Sequence, residues 1–219
     1  MIQIQTIASM RQQRPAEFDG LAAEIRRLGT DNRWIFGADY EFEGGWRLQQ
    51  RTVEITALLL LLASLRPAGA YVEIGTASGG TTRLIHRHLT FEQSLSLDDG
   101  CHPDAGLQDV NLREIPRLVR YRGDSHAPGA RAFLKRELQH PVAVALVDGD
   151  HTYTGVSQDV RLVLEHMKPG ALLVLHDTVA VPDVGRCWQE TIDANLTEPV
   201  AHFVDDHHAA CGIGVARVR

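Results

Sequence analysis

The feature that most constrains this chain is a glycine-rich turn that joins an apolar run at residues 70–74 to a helical pattern. The turn has the spacing Gly75-x-x-x-Gly79-Gly80. Glycine is needed where the backbone takes a positive φ or where a ligand lies against the main chain. A helix that begins at such a turn directs free N–H groups toward an anion. The spacing differs from that of a dinucleotide site or a P-loop. A turn with this spacing either binds a nucleoside ligand that carries a small carboxylate or is an ordinary strand–loop–helix junction without a ligand.

Two later apolar runs, at residues 142–147 and 172–175, also end abruptly in polar side chains. The first is followed by Asp-Gly-Asp-His at 148–151 and the second by His-Asp at 176–177. Runs of this length and composition are typical of strands that are buried on both faces of a parallel sheet. Because ligands bind beyond the carboxyl ends of such strands, we expect all three strand ends to contribute to one site.

In these motifs the chain resembles the class I S-adenosylmethionine-dependent methyltransferases. The closest resemblance is to metal-dependent small-molecule O-methyltransferases, which include catechol O-methyltransferase-like and antibiotic-tailoring enzymes. The resemblance covers about residues 45–219 and depends on the order and spacing of its motifs. The matching segments are Val-Glu-Ile-Gly-Thr-Ala-Ser-Gly-Gly-Thr-Thr, Leu-Ser-Leu-Asp-Asp, Gly-Asp-Ser, Leu-Val-Asp-Gly-Asp-His-Thr-Tyr, Lys-Pro-Gly-Ala and Leu-His-Asp-Thr.

The resemblance implies that S-adenosyl-L-methionine is the cofactor and that the first three strand ends hold it. Glycines in the turn would let the backbone approach the methionine moiety. Thr81 would bind the carboxylate of this moiety, and Glu73 would bind its ammonium group. Asp98, just past the second strand, would accept both ribose hydroxyls, with Asp99 as the alternative. The implied cofactor-binding residues are Glu73, Gly75, Thr76, Ser78, Gly79, Thr81, Asp98, Asp124 and Ser125, the last two at the adenine edge.

The resemblance also implies a divalent metal, with Mg²⁺ or Mn²⁺ expected. The ligands carried over by position are Asp148, His176 and Asp177. Hard cations prefer oxygen ligands. His176 stands where the family usually has Asp or Glu, so it favours a metal that accepts nitrogen, or else Asp150 supplies the missing oxygen.

The implied catalytic residues are His151 and Asp148. His151 lies three residues after Asp148, where catechol-type enzymes place a lysine. An imidazole with a pKa near ~6.5 can accept a hydroxyl proton at neutral pH. The expected reaction is methyl transfer to a hydroxyl of a small natural product or sugar.

The alternation of patterns predicts an α/β fold: a doubly wound, Rossmann-like, mostly parallel sheet with a C-terminal antiparallel β pair and an N-terminal helical and loop cap. We expect the cap at residues 1–47 and the S-adenosylmethionine-binding domain at 48–219. The predicted strands are 70–74, 95–97, 118–121, 142–147, 172–175, 200–204 and 212–218, and the predicted helices are 16–28, 48–65, the segment to about 88, 130–139, 156–167 and 185–195. Residues 31–46 carry five aromatic side chains and predict either a packed loop or a flap over the substrate.

The composition excludes several classes of protein. With 22 Lys and Arg against 28 Asp and Glu, the net charge is −6, which argues against nucleic acid as a partner. Three widely spaced cysteines predict free thiols in a reducing cytoplasm rather than disulfides or a structural zinc site. No signal peptide or membrane-spanning run is expected. The predicted partner is a small-molecule acceptor, and a homo-oligomer is possible.

Two other functions stay open at this point. The Asp-Gly-Asp-His-x-Tyr and His-Asp-Thr pattern also resembles proteins linked to cephalosporin hydroxylation, so a metal-dependent tailoring enzyme on the same fold is one alternative. A non-catalytic nucleoside-binding subunit is the other. The sequence leaves open the acceptor, O- against N-methylation, the identity of the metal, the role of His176 and the oligomeric state.

Overall fold

The computed structural model describes residues 4–29, 45–206 and 210–219. The aromatic-rich segment predicted as a loop or flap therefore lies outside the described residues, except for its last two, Gly45 and Trp46. The predicted boundary between a cap and a main domain, after residue 47, stays a prediction.

A seven-stranded sheet in the order β3-β2-β1-β4-β5-β7-β6 forms the centre of the described structure. The first five strands run parallel, and β7 is antiparallel to both β5 and β6. This confirms the predicted doubly wound sheet with a C-terminal antiparallel pair. The strands are β1 (Ala70–Ile74), β2 (Gln93–Asp98), β3 (Leu118–Arg122), β4 (Val142–Val147), β5 (Met167–His176), β6 (Thr197–Phe203) and β7 (Ile213–Val218).

Helices cover both faces of the sheet and bury two separate apolar clusters. One cluster lies under α1, α2, α3 and α4, and the other under α6, α7 and α8. Every residue of β1 and β4 is buried, as expected for parallel strands between two helical layers. The described helices are α1 (Ile7–Gln13), α2 (Pro15–Leu28), α3 (Thr52–Leu65), α4 (Gly80–His88), α5 (Gln108–Asn111), α6 (Pro128–Glu137), α7 (Tyr153–Leu164) and α8 (Pro182–Asp193), with a 3₁₀ turn at Ala105–Leu107.

Several elements differ from the prediction. Strand β5 begins at Met167, so it includes the exposed Lys-Pro-Gly segment that precedes the predicted strand 172–175. The short helix α5 was not predicted. Helix α7 begins at Tyr153 because the Thr152 hydroxyl accepts a hydrogen bond from the backbone N–H of Gly155 at 3.1 Å. Helix α1 was not predicted. It begins with a capping box in which Thr6 and Ser9 bond each other's backbone N–H.

The carboxyl ends of the parallel strands open onto a cavity of about 770 Å³. Most of its lining comes from the turns that follow β1, β2, β3, β4 and β5. No helix within the described ranges is both long enough and apolar enough to cross a membrane.

Candidate active site

The cavity brings together residues from both halves of the predicted site. At one end lie the glycine turn and the ends of β2 and β3, and at the other lie the polar ends of β4 and β5. The predicted residues that line it are Gly75, Asp98, Asp124, Ser125, Asp148, His151, His176 and Asp177. Asp99, the alternative ribose ligand, also lines it, whereas Glu73, Thr76, Ser78, Gly79 and Thr81 lie behind the cavity wall.

Gly75 is required by the close approach of two strand ends. Its φ is +83°, and a Cβ added there would lie 2.0 Å from the carbonyl oxygen of Asp148. An alanine at this position would therefore clash with backbone rather than with a movable side chain. The turn after β1 and the turn after β4 are thus in direct contact beneath the cavity.

The carboxylate of Asp98 holds the glycine turn in place. One oxygen accepts hydrogen bonds from the backbone N–H groups of Thr76 and Ala77 at 2.8 and 2.9 Å. The other oxygen accepts from the N–H of Gly100 at 2.8 Å and from Nε2 of Gln108 at 2.9 Å. The residue predicted to bind ribose hydroxyls is therefore already bonded to four protein donors.

Glu73 lies beneath the turn and not at the cavity surface. It is 1% exposed, and its carboxylate accepts hydrogen bonds from the hydroxyls of Tyr71 and Thr82. Burial raises the pKa of Glu73 to about 8, although these two hydrogen bonds lower it. The predicted contact with an ammonium group would require a path through this buried layer.

The other residues of the turn serve the protein's own packing. The Ser78 hydroxyl donates to the backbone oxygens of Trp46 and Arg47, at 3.0 and 2.7 Å, and so fixes the chain that enters α3. A Cβ on Gly79 would lie 2.8 Å from Cγ of Leu112. Glycine is therefore needed there for packing, whereas the prediction explained it by the approach of a ligand. Thr81 is buried at the start of α4.

The turn after β3 forms part of the cavity wall at the end that also contains the glycine turn. This end is called the donor end below. Asp124 accepts a hydrogen bond from the N–H of His126 at 2.8 Å, while Ser125 and His126 face the cavity. Nε2 of His126 lies 3.2 Å from a carboxylate oxygen of Asp159, which is completely buried. Asp159 lies on α7 and carries no motif, so the sequence did not single it out.

The polar ends of β4 and β5, with Asp148, His151, His176 and Asp177, form what is called here the acid-rich edge of the cavity. In this edge His151 lies between two carboxylates. Its Nε2 lies 3.5 Å from Oδ1 of Asp148 and 3.3 Å from Oδ2 of Asp177. A hydrogen bond to Asp148 raises the pKa of His151, although partial burial lowers it. Asp177 has a φ of +64°, an uncommon conformation for a residue other than glycine, and such strain concentrates at functional sites.

His176 lies deeper in the same edge. Its Nδ1 is 3.1 Å from Oδ1 of Asp148 and 3.4 Å from Oδ1 of Asp177, and the residue is 2% exposed. Burial lowers its pKa, but the charges of the two aspartates outweigh this, and the pKa is raised well above its usual range. Correspondingly, burial raises the pKa of Asp148, but His176 and His151 hold it below the usual value.

The residues at this edge fit a divalent cation. One ligand atom from each of Asp148, His151 and Asp177 lies within 4.8 Å of the others. The predicted ligand His176 also lies within 3.4 Å of both carboxylates, through Nδ1. The two carboxylates suit a hard cation such as Mg²⁺ or Mn²⁺, and an imidazole beside them serves either as a further ligand, which favours Mn²⁺, Fe²⁺ or Zn²⁺, or as a base.

Two glutamines that the sequence did not single out also lie at this edge. Gln50 is 1% exposed and donates from Nε2 to Oδ2 of Asp148 at 3.3 Å. Its neighbour Gln49 lines the cavity. Both precede α3, in a segment without a motif, so only the fold places them beside Asp148.

The sheet order and the strand-end cavity match the Rossmann-like methyltransferase fold. Residues 72–178, just under half of the chain, match the family model described as a methyltransferase domain. This match bears out the resemblance that the strand-end motifs indicated.

Solved structures with this fold include O- and N-methyltransferases. An O-methyltransferase from Bacillus cereus, in complex with S-adenosylhomocysteine, has a TM-score of 0.60 at 17% identity, over 74% of this chain and 79% of that one. TomG from Streptomyces achromogenes, an O-methyltransferase of tomaymycin synthesis in complex with S-adenosylmethionine, has a TM-score of 0.64 at 16% identity, over 90% and 89%. The N-methyltransferase NodS from Bradyrhizobium japonicum has a TM-score of 0.56 at 18% identity, over 90% and 97%.

A curated relative is the uncharacterized protein R132 of Acanthamoeba polyphaga mimivirus, 27% identical over 118 residues. The match covers 49% of this chain, and the chain spans about half the length, 50%, of that relative.

Proposed function

We propose that the protein transfers a methyl group from S-adenosylmethionine to a hydroxyl group of a small molecule, with the help of a divalent cation. The observation that carries the proposal is the position of the acid-rich edge on the same cavity as the glycine turn. A donor that lies along the turn would present its methyl group toward Asp148, His151 and Asp177. TomG and the Bacillus cereus protein, both O-methyltransferases, have the same fold.

The donor would occupy the end of the cavity formed by the turns after β1, β2 and β3. Gly75 lines this end of the cavity, and Asp98 fixes the turn. Asp99, the neighbouring carboxylate, hydrogen-bonds Cys101 alone among the described residues, through its backbone N–H and its thiol. Its remaining lone pairs would accept from ribose hydroxyls. Ser125 and His126 would border the base.

The acceptor would lie at the acid-rich edge, where Asp148 and Asp177 would hold the divalent cation. Bound there, the cation would lower the pKa of the acceptor hydroxyl. His151 would take the hydroxyl proton at Nε2, which lies 3.5 and 3.3 Å from the two carboxylates that would hold the cation. The hydroxyl oxygen attacks the methyl carbon as the carbon–sulfur bond breaks, and S-adenosylhomocysteine leaves as a neutral thioether.

Calorimetric titration with S-adenosylmethionine, followed by mass spectrometry of a panel of hydroxylated acceptors, tests this function. We expect donor binding in wild type and in Asp177→Asn, but methyl transfer only in wild type and only without chelator. Asp193→Asn is the matched control, because this surface acid bonds only Gln189 among the described residues.

Each alternative has its own outcome in this experiment. Full activity in excess chelator would remove the cation from the mechanism. Oxygen consumption without methyl transfer would favour the reaction of the hydroxylase-linked proteins. Donor binding without turnover of any hydroxylated or amine acceptor would favour the nucleoside-binding subunit.

A further inference from the structure

A second cluster of metal-ligating side chains lies directly behind the acid-rich edge. It contains Glu54 of α3, His176 at the end of β5 and Cys211 just before β7. One ligand atom from each lies within 4.8 Å of the others, and all three residues are buried, at 0%, 2% and 0% exposure. None of the three faces the donor end of the cavity.

The carboxylate of Glu54 is held in a fixed position by the backbone. It accepts hydrogen bonds from the N–H of Asp205 at 2.9 Å and from the N–H of Gly212 at 3.0 Å. Each of its oxygens keeps a further lone pair. Carboxylates that bind metals are themselves commonly hydrogen-bonded in this way.

The imidazole of His176 is oriented as in a histidine that binds a metal. Its Nδ1 lies 3.1 Å from Oδ1 of Asp148, which keeps a proton on that nitrogen. Its Nε2 is buried and has no partner among the residues that the structure describes other than the nearby Cys211 thiol, which hydrogen-bonds the ring. A histidine that ligates zinc usually donates its other N–H to a carboxylate, and zinc would displace the protons of Nε2 and of the thiol.

Cys211 supplies the sulfur of the cluster. It is one of three free cysteines, and burial raises the pKa of its thiol to about 11, with the neighbouring His176 ring lowering it in part. A thiol in such an environment stays protonated and inert unless a metal displaces its proton.

We propose that Glu54, His176 and Cys211 form a buried zinc site that is separate from the cation site of the acid-rich edge. Sulfur, nitrogen and oxygen donors are those of zinc sites, and Mg²⁺ avoids sulfur. The ion would tie α3, β5 and the segment before β7 together. Through the hydrogen bond between His176 and Asp148 it would also fix the orientation of Asp148. This inference does not depend on the proposed methyl transfer.

Metal analysis of the purified full-length protein tests the proposal. We expect about one zinc per chain, and X-ray absorption at the zinc edge should detect one sulfur at about 2.3 Å beside nitrogen and oxygen at about 2.0–2.2 Å. Zinc bound with nitrogen and oxygen only, or no zinc after growth in zinc-supplemented medium, would overturn the proposal.

Variants locate the ion. Cys211→Ser should lose zinc, while Cys187→Ser, which alters a buried thiol next to Ser157 on the other face of the sheet, should keep it. Asp177→Asn, altered only at the acid-rich edge, should also keep zinc. Zinc that survives Cys211→Ser but is lost in Asp177→Asn would place the ion at the acid-rich edge and refute the buried site. If Cys211→Ser fails to fold, the absorption spectrum of wild type decides the question by itself.

Discussion

The glycine turn and the acid-rich edge line one cavity, but their polar side chains differ in how fully the protein itself satisfies them. In the turn, the protein itself satisfies Asp98, Glu73 and Ser78 with backbone and hydroxyl partners. At the edge, each of two imidazoles lies within 3.5 Å of each of two carboxylates. A region that satisfies its own groups is rigid before the ligand arrives, whereas a region of crowded charges is completed by a cation or a substrate. The difference suggests that the turn shapes the donor site and the edge supplies the chemistry.

The strongest test of this comparison is Gly75→Ala, at the point where the two regions touch. The added Cβ would lie 2.0 Å from the backbone oxygen of Asp148, at a residue with a φ of +83°. Neither backbone can move without separating β1 from β4. Chemical unfolding should show that the free energy of unfolding falls by more than about 4 kcal/mol, which is exceptional for a single substitution.

Gly20→Ala is the matched control for this substitution. Gly20 lies within α2, and nothing lies within 4 Å of an added Cβ. Alanine should therefore stabilise the helix by about 0.5–1 kcal/mol. A Gly75→Ala protein with wild-type stability would mean that the two turns can separate, and the comparison would fail.

The sequence predicted the strands and their polar ends because both follow from local rules. A run of five or six apolar residues, such as 142–147, predicts a strand buried on both faces. The parallel order then brings the residues after β1, β4 and β5 to one edge. Neither step needs side-chain detail.

The partners of the site residues depended on contacts that no local pattern encodes. Gln108 bonds Asp98 from a short helix that was not predicted. Glu54 and Cys211 lie far apart in the chain and meet His176 only after α3 packs on the sheet. Asp177 has a positive φ at the end of β5, and position alone could not tell that both His151 and His176 would lie between the two carboxylates.

At the acid-rich edge, His151→Ala should separate proton transfer from metal binding. We expect turnover to fall by about 10²–10⁴-fold, the usual contribution of a general base, with divalent-metal affinity nearly unchanged. His140→Ala, whose imidazole pairs with Glu92 away from the cavity, is the control. If His151→Ala loses the metal as completely as Asp177→Asn, then His151 is a ligand.

The pKa of His151 in the metal-free protein checks its position between the carboxylates. A hydrogen bond to Asp148 and the charges of Asp148 and Asp177 raise this pKa above the ordinary value of 6.5. An NMR titration of the imidazole without metal should therefore give a midpoint above 6.5. Asp177→Asn removes one of these charges and should lower the midpoint, and a divalent cation bound by the same carboxylates should lower it as well.

The glycine turn should respond to pH through Glu73, in its stability rather than in catalysis. The pKa of this carboxyl is about 8 in the folded protein, against 4.5 as its ordinary value. Between these values the unfolded chain releases a proton that the folded protein keeps, so stability falls as pH rises. The loss approaches about 4 kcal/mol by pH 8, at ~1.4 kcal/mol per pKa unit. In Glu73→Gln most of this dependence should disappear. If the free energy of unfolding changes equally with pH in wild type and in Glu73→Gln from pH 5 to 8, then Glu73 is ionised in the folded protein.

The smallest expected effect is that of Asp98→Asn, and it distinguishes the two roles open to this carboxylate. Asparagine has one acceptor oxygen, and its NH₂ group would face backbone N–H groups that now bond to Asp98. Loss of charge-assisted hydrogen bonds should cost about 1.5–3 kcal/mol.

The role of Asp98 follows from whether Asp98→Asn loses stability in the free protein or only loses affinity for the ligand. If Asp98 holds the turn, the loss should appear in the unfolding free energy of the free protein, and donor affinity should weaken as a consequence. Asp99→Asn should then weaken donor binding with little effect on the stability of the free protein, because Asp99 bonds only the exposed Cys101 among the described residues. If Asp98 instead binds ribose directly, Asp98→Asn should weaken S-adenosylhomocysteine binding while leaving the free protein as stable as wild type. Calorimetric titration and chemical unfolding of both variants separate the two cases.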